Sequence, residues 1–125
     1  MSRYVLDAGA LIALDRNDAR MWERYQRARR DEIPLVTHGG VVAQVVRGAR
    51  QARLAQALRA IDVLPLDREL GSATGLLLGD ARTHDVVDAA LVVISRAGDT
   101  ILTSDPDDLE RLVAASGVDV TVVPV

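Results

Sequence analysis

Several residue types that define whole classes of proteins are missing from this chain of 125 residues. It contains no cysteine, which excludes disulfide bonds, thiolate zinc sites and cysteine nucleophiles. It also contains no phenylalanine, and its only aromatic side chains are Tyr4, Trp22 and Tyr25. So few aromatic residues argue against a stacking platform for single-stranded nucleic acid. Because cysteine-free chains are compatible with a reducing compartment, we expect a cytoplasmic location.

Lysine is absent as well, so every basic side chain except histidine is arginine. Residues 1–60 hold eleven arginines and six acids, a net charge of +5, whereas residues 61–125 hold four arginines and twelve acids, a net charge of −8. Codon bias and a role in phosphate binding explain the use of arginine instead of lysine equally well. The uneven distribution leaves a nucleic-acid partner open despite the acidic balance of the whole chain.

Long hydrophobic segments are also missing. The first residues contain no apolar stretch of signal-peptide length. The longest apolar run, Val86–Ile94, is interrupted by Asp88 and is too short to cross a bilayer. We therefore expect no membrane association, and we expect residues 1–125 to form a single domain with one core.

Short apolar runs alternate with helical patterns along the chain. The predicted strands are residues 4–6, 34–37, 63–66, 100–103 and 118–123, and the predicted helices are residues 8–15, 18–30, 41–47, 49–61, 67–81, 86–96 and 106–115. This alternation predicts an α/β fold, a three-layer α/β/α sandwich with a central, mostly parallel sheet of four to five strands. Pro65 favours an edge position for the third strand.

The segment after the second predicted strand carries three local predictions. His38 and the two glycines that follow it are predicted to form a flexible turn. Arg47, Arg50 and Arg53 recur every third residue and are predicted to line one side of a helical segment. His38 and His84 are interpreted as surface or capping residues rather than acid–base catalysts.

Two further patterns concern packing. Gly71, Gly75 and Gly79 stand at four-residue steps in a predicted helix, which predicts close helix packing along that face. Trp22 and Tyr25 lie on an arginine-rich helix and are interpreted as core anchors, with self-association or contact with a partner protein as the alternative.

Aspartates follow two of the predicted strands. Asp7 follows the first strand, Asp105 follows the strand at 100–103, and Asp88 opens an apolar helix. In parallel α/β sheets the ligand crevice lies beyond the carboxyl ends of the strands, where the strand order reverses. If these carboxylates converge there, a repulsion of roughly 4 kcal/mol per pair at about 4 Å outweighs a capping hydrogen bond of about 1 kcal/mol. The set then needs a cation, and oxygen ligands without sulfur favour Mg²⁺ or Mn²⁺ over zinc.

Helix capping is an alternative for each acid taken alone. Asp105 followed by Pro106 is a favourable helix start, and Asp85 and Asp88 stand where the preceding helix begins. The helix macrodipole also favours acids at these positions.

Four segments, taken in order, resemble the PIN-domain ribonucleases, and most closely the VapC-type toxins of toxin–antitoxin pairs: YVLDAGALIAL, VVAQVVRG, DVVDAALVVISRAGD and ILTSDPDDL. The resemblance extends over essentially the whole chain. It implies a PIN-like fold and a divalent-metal-dependent endoribonuclease that acts on RNA, forms a homodimer and is neutralised by a cognate antitoxin. It also implies that Asp7, Asp88 and Asp105 are the catalytic residues that hold Mg²⁺ or Mn²⁺.

The resemblance suggests supporting residues too. Asp85 and Asp108 lie one helical turn from members of the set, and Thr103 or Ser104 can add a hydroxyl. Gln44 stands where the family usually has a glutamate, which implies weaker metal binding because an amide brings no charge. Arg47, Arg50 and Arg53 are the candidates for contact with the RNA backbone.

The residues bear on three rival classes of protein. A PIN-like module that binds RNA or an antitoxin without cleaving RNA stays open. A receiver domain requires a lysine after its last strand, and the chain has no lysine. A phosphatase of the D-x-D type requires a second acid where this chain has Gly9.

Overall fold

The computed structural model describes residues 2–125, and this part of the chain forms five strands and seven helices. The strands are β1 (Tyr4–Leu6), β2 (Leu35–His38), β3 (Ile61–Leu64), β4 (Thr100–Thr103) and β5 (Thr121–Pro124). The helices are α1 (Ala8–Asp15), α2 (Ala19–Arg30), α3 (Gly39–Val45), α4 (Ala52–Leu58), α5 (Arg68–Ala81), α6 (Val86–Ile94) and α7 (Pro106–Ser116).

The five strands form one parallel sheet in the order β3-β2-β1-β4-β5. This confirms the predicted α/β fold with a parallel central sheet. From β1 the chain first moves outward through β2 to β3, then crosses back to β4 on the other side of β1 and moves outward to β5. The strand order therefore reverses between β1 and β4, and the crevice expected at such a switch point lies beyond the carboxyl ends of these two strands.

The helices pack in two groups, as a doubly wound sheet requires. Helix α1 contacts α2, α3 and α4, whereas α5, α6 and α7 contact one another. Because parallel crossovers are right-handed, connections that move in opposite directions along the sheet place their helices on opposite faces. None of these seven helices is long and apolar enough to cross a membrane.

The core is aliphatic, in keeping with the shortage of aromatic residues. Leu6, Leu11 and Ile101 are fully buried between the sheet and the helices. Tyr25 is buried and donates its hydroxyl to the Ala57 carbonyl at 3.0 Å, which confirms its interpretation as a core anchor. Trp22, half-buried, donates its indole N–H to the Leu14 carbonyl and stacks edge-on against Tyr25.

The predicted flexible turn at residues 38–40 is wrong. His38 is the last residue of β2, and α3 begins at Gly39. The helix can begin there because the His38 side chain accepts a hydrogen bond from the Gly40 N–H and so caps it. The next strand begins two residues earlier than predicted, at Ile61, and Pro65 follows its end; β3 does lie at the sheet edge as predicted.

The predicted row of Arg47, Arg50 and Arg53 on one helical face is also wrong. Helix α3 ends at Val45 and α4 begins at Ala52, so only Arg53 is helical. The close packing predicted at Gly71, Gly75 and Gly79 is wrong as well, because a Cβ atom added at any of them meets no atom within 4 Å.

Candidate metal centre

The switch point of the sheet carries the acids that the sequence places at the strand ends. Asp7 leaves β1 and Asp105 follows β4, and the Asp7 N–H donates to the Leu102 carbonyl of β4 at 2.9 Å. At the opposite end of the same two strands, Arg3 and Asp99 form an ion pair at 2.7 Å. The two strand ends therefore stand side by side where a crevice is expected.

Asp7 is buried and uses both carboxylate oxygens. Its Oδ1 accepts from the Ala8 N–H at 2.7 Å, which caps α1, and its Oδ2 accepts from the Thr103 hydroxyl at 2.7 Å. The Thr103 oxygen in turn accepts from the Asp105 N–H at 2.9 Å. Asp7 is therefore both a cap and a link to the acid at the next strand end.

The tightest group of acids comes from two helices. Asp88 of α6 is buried, Asp105 and Asp108 are exposed at the start of α7, and one carboxylate oxygen of each lies within 4.8 Å of the other two. We call Asp88, Asp105 and Asp108 the acidic trio. Asp7 lies outside it but close enough for its charge to act on Asp88 and Asp105.

Capping explains some of these acids and not others. The Asp85 carboxylate accepts from the Asp88 N–H at 3.0 Å, so the capping interpretation of Asp85 is confirmed. Asp105 occupies the N-cap position of α7, yet its side chain makes no capping hydrogen bond. The Asp105 carboxylate is therefore left to face the rest of the trio.

The trio gathers carboxylates without a neighbouring cationic side chain among residues 2–125. Burial, together with the charges of Asp7, Asp85 and Asp105, raises the pKa of Asp88 to about 7. A hydrogen bond with Asp108 is the main cause of the raised pKa of Asp105. Within residues 2–125, no arginine or histidine nitrogen lies within 4.0 Å of these carboxylates. Clustered oxygens of this kind match the ligands that Mg²⁺ and Mn²⁺ prefer, so the residues present fit a hard divalent cation.

The raised pKa of Asp88 predicts how the stability of the metal-free protein changes with pH. The folded state holds a proton on Asp88 between about pH 4 and pH 7 that the unfolded chain has released. This contribution is present at low pH and is lost as the pH rises through 7, whereas the lowered pKa of His38 acts in the opposite direction. The difference between wild type and Asp88→Asn isolates the aspartate. In urea unfolding with EDTA, the stability of the variant relative to wild type should increase between pH 5 and pH 8. A difference that does not vary between these pH values would contradict the prediction.

The other predicted site residues are not members of the trio. Gln44 is exposed on α3, and Ser104 is exposed at the exit of β4. Arg47 is exposed in the segment between α3 and α4, where its guanidinium donates to the Ala43 and Val46 carbonyls. Arg50 and Arg53 are exposed as well.

The structure also reveals a residue that sequence reasoning undervalued. His38 is fully buried, its Nδ1 accepts from the Gly40 N–H at 3.0 Å, and its Nε2 lies 2.9 Å from the Val87 carbonyl oxygen. The interpretation of His38 as a capping residue is confirmed, but its placement on the surface is wrong. His84 is exposed.

Fold and site together define an α/β protein with a five-stranded parallel sheet and an acidic cluster at its switch point. No family model matches the chain, and no curated protein matches it in sequence. Among solved structures, it is similar to a chain of the crystal structure of VapBC2 from Rickettsia felis bound to a DNA fragment from their promoter. The TM-score is 0.67 at 9% identity, over 98% of this chain and 99% of that chain. This likeness shows a shared fold, the fold that the sequence resemblance implied.

Proposed function

We propose that this protein is a divalent-metal-dependent endoribonuclease of the VapC type, held inactive by a cognate antitoxin. The observation that carries the proposal is the acidic trio, which lies at the switch point of the sheet without a cationic partner among the described residues. The fold supports the assignment, since it is shared with a VapBC2 chain. Three of the four sequence segments that resemble PIN-domain ribonucleases supply the acids.

Each acid has a role that follows from its surroundings. Asp88, Asp105 and Asp108 hold the cation, because their oxygens already lie within 4.8 Å of one another. Asp7 adds its negative charge and, through Thr103, orients the backbone that leads to Asp105. When bound, Mg²⁺ or Mn²⁺ supplies activation of water and neutralisation of the charge that develops on the phosphodiester.

Two arginines that line a cavity are suited to the RNA backbone. Arg20 and Arg24 line a cavity of about 170 Å³ between α2 and the end of β5, and neither forms an ion pair with the described residues. Val125, which also lines this cavity, donates its N–H to the carbonyl of Thr103, the residue whose hydroxyl is hydrogen-bonded to Asp7. Arg47, Arg50 and Arg53 remain candidates for more distant phosphates. Arginine suits this task because its guanidinium can donate two parallel hydrogen bonds to one phosphate.

One observation favours a second function. Gln44, at the position where the family usually has a glutamate, is exposed on α3 and brings no charge to the trio. The alternative is therefore a PIN-like module that binds RNA or the antitoxin without cleavage. We also propose a homodimer and a cytoplasmic location, on the strength of the VapC resemblance.

The test is cleavage of RNA by the purified protein, freed of any antitoxin. Wild type should cleave RNA in Mn²⁺ or Mg²⁺ and not in EDTA, and Asp105→Asn should reduce the rate by about 100-fold or more, since even outer-shell partners of a metal cost 10–100-fold. Asp107→Asn is the matched control, because Asp107 is an exposed acid in the same helical turn but outside the trio. RNA that stays intact in Mn²⁺ but is retained by the protein would support the binding module instead.

A further inference from the structure

His38 is a buried polar side chain that the proposed function does not use. It ends β2, and its imidazole is fully buried beside the acidic cluster, where Asp7 acts on it electrostatically. Because Nδ1 accepts from the Gly40 N–H, the proton of the neutral ring lies on Nε2 and is donated to the Val87 carbonyl. The imidazole therefore joins the first turn of α3 to the first turn of α6.

The contact with α6 is made one residue before Asp88. The hydrogen-bond partner of the Asp88 carboxylate is Asp85, the cap of the same helix, so the place of Asp88 in the trio depends on where the backbone of α6 lies. The Nε2–H of His38 fixes that backbone against the end of β2. Gly40 is fitted to the same ring, since a Cβ atom there would lie 2.8 Å from Cε1 and 3.0 Å from Nδ1 of His38.

We propose that His38 is a positioning residue for the acidic trio: its hydrogen bond to the Val87 carbonyl holds Asp88 where a divalent cation can bind it together with Asp105 and Asp108. The proposal rests on the metal site of the proposed function. His38 takes no part in the chemistry. Its effect passes through the backbone of α6, in the manner of groups that orient metal ligands without touching the metal.

Two substitutions separate the hydrogen bonds of the imidazole. In His38→Asn the side-chain oxygen can still accept from the Gly40 N–H but the side chain is too short to reach Val87, whereas in His38→Gln the amide nitrogen extends about as far as Nε2. We expect His38→Asn to raise the Kd for Mn²⁺, measured by titration calorimetry, by about 10-fold or more. His38→Gln should restore most of the affinity.

Tyr25→Phe is the control for lost stability. It removes one buried donor to a backbone carbonyl, as His38→Asn does, but in α2, where Tyr25 contacts Ala57. Tyr25→Phe should lower the melting temperature and leave the Kd for Mn²⁺ unchanged. If His38→Asn also lowers only the melting temperature, or if His38→Gln binds Mn²⁺ more weakly than His38→Asn, the positioning role is overturned.

The test distinguishes this inference from the proposed function. A wild-type protein that binds Mn²⁺ with the expected dependence on His38, yet leaves RNA intact, would overturn the ribonuclease and support the positioning role. A wild-type protein that binds no Mn²⁺ would overturn both.

Discussion

Asp88→Asn is expected to have opposite effects on the protein with and without metal. Without metal at pH 8, the variant should have a higher free energy of unfolding than wild type, because it removes a buried charge that Asp7, Asp85 and Asp105 repel. With Mn²⁺, the variant should lose most of the stabilisation that wild type gains, because one of the three clustered ligands has become neutral. A residue that only stabilises its helix would give neither result.

The sign without metal depends on two competing effects. As an acid in the first turn of α6, Asp88 gains about 0.3–1 kcal/mol from the helix macrodipole, and up to about 2 kcal/mol when partly buried. Against this, a charged neighbour within 4.8 Å, as Asp105 is, costs at least about 1 kcal/mol in water and about 3.5 kcal/mol at an effective dielectric constant of 20. Burial of the charge adds to that cost, as the raised pKa of Asp88 shows. Repulsion and burial together therefore outweigh the macrodipole.

Thermal unfolding with EDTA and with Mn²⁺ measures both effects. Free Mn²⁺ at 100 times its Kd stabilises wild type by about 2.7 kcal/mol, which corresponds to roughly 10 °C in a protein of this size. Asp88→Asn should show only a small part of this increase and should start from a higher melting temperature in EDTA at pH 8. Asp107→Asn should respond to Mn²⁺ as wild type does. A decrease in the EDTA melting temperature of Asp88→Asn would favour the capping and macrodipole account.

The parts of the site that lie at strand ends could be predicted from the sequence. Short apolar runs locate β1 and β4, and Asp7 and Asp105 follow them directly. Once the sheet is parallel, chain order alone brings these ends to one edge. The fold and the positions of Asp7 and Asp105 therefore follow from local patterns, and a single sequence is enough to show these patterns.

The position of Asp108 in the trio depends on the direction of its side chain, which the sequence pattern leaves ambiguous. Asp108 lies in the first turn of α7, where an acid is favourable for capping and macrodipole reasons alone. Asp108 stands three residues after Asp105, so both lie on one side of the helix start. This spacing was the only indication in the sequence that the two carboxylates are neighbours. Only the packing of α6 against α7 shows that this side faces Asp88.

The sequence predicts a break at Gly48, but it could not predict that the break between α3 and α4 extends over residues 46–51, where a distant contact takes part. The Gln51 side chain accepts from the Arg47 N–H at 2.7 Å and from the Gly48 N–H at 3.2 Å, and it donates to the Val45 carbonyl and to Asp15 of α1. These bonds satisfy backbone groups that a continuous helix would otherwise pair. The spacing of the arginines in the sequence gives no indication that Gln51 contacts Asp15 of α1.

Gly9→Ala and Gly75→Ala, the same change in two helices, are expected to change stability in opposite directions. Alanine is favoured over glycine inside a helix by about 1 kcal/mol, so the surroundings decide the sign. A Cβ atom at Gly9 would lie 2.5 Å from the Ser104 Cβ, 2.8 Å from its backbone nitrogen and closer still to its Oγ. Rotation of the serine side chain cannot relieve the contacts with its Cβ and its backbone. At Gly75 an added Cβ meets no atom within 4 Å.

Gly9→Ala should therefore lower the free energy of unfolding by about 2 kcal/mol, within the range for overpacked sites, whereas Gly75→Ala should raise it by about 0.4–1 kcal/mol. Urea unfolding of both variants measures the difference. Because Ser104 precedes Asp105, relief of the clash at Gly9 has to move the backbone that carries one ligand of the trio. Gly9→Ala should then also weaken Mn²⁺ binding under conditions where it is fully folded, and Gly75→Ala should not. Equal stabilities for the two variants would show that α1 does not press against the exit of β4 as closely as the structure indicates.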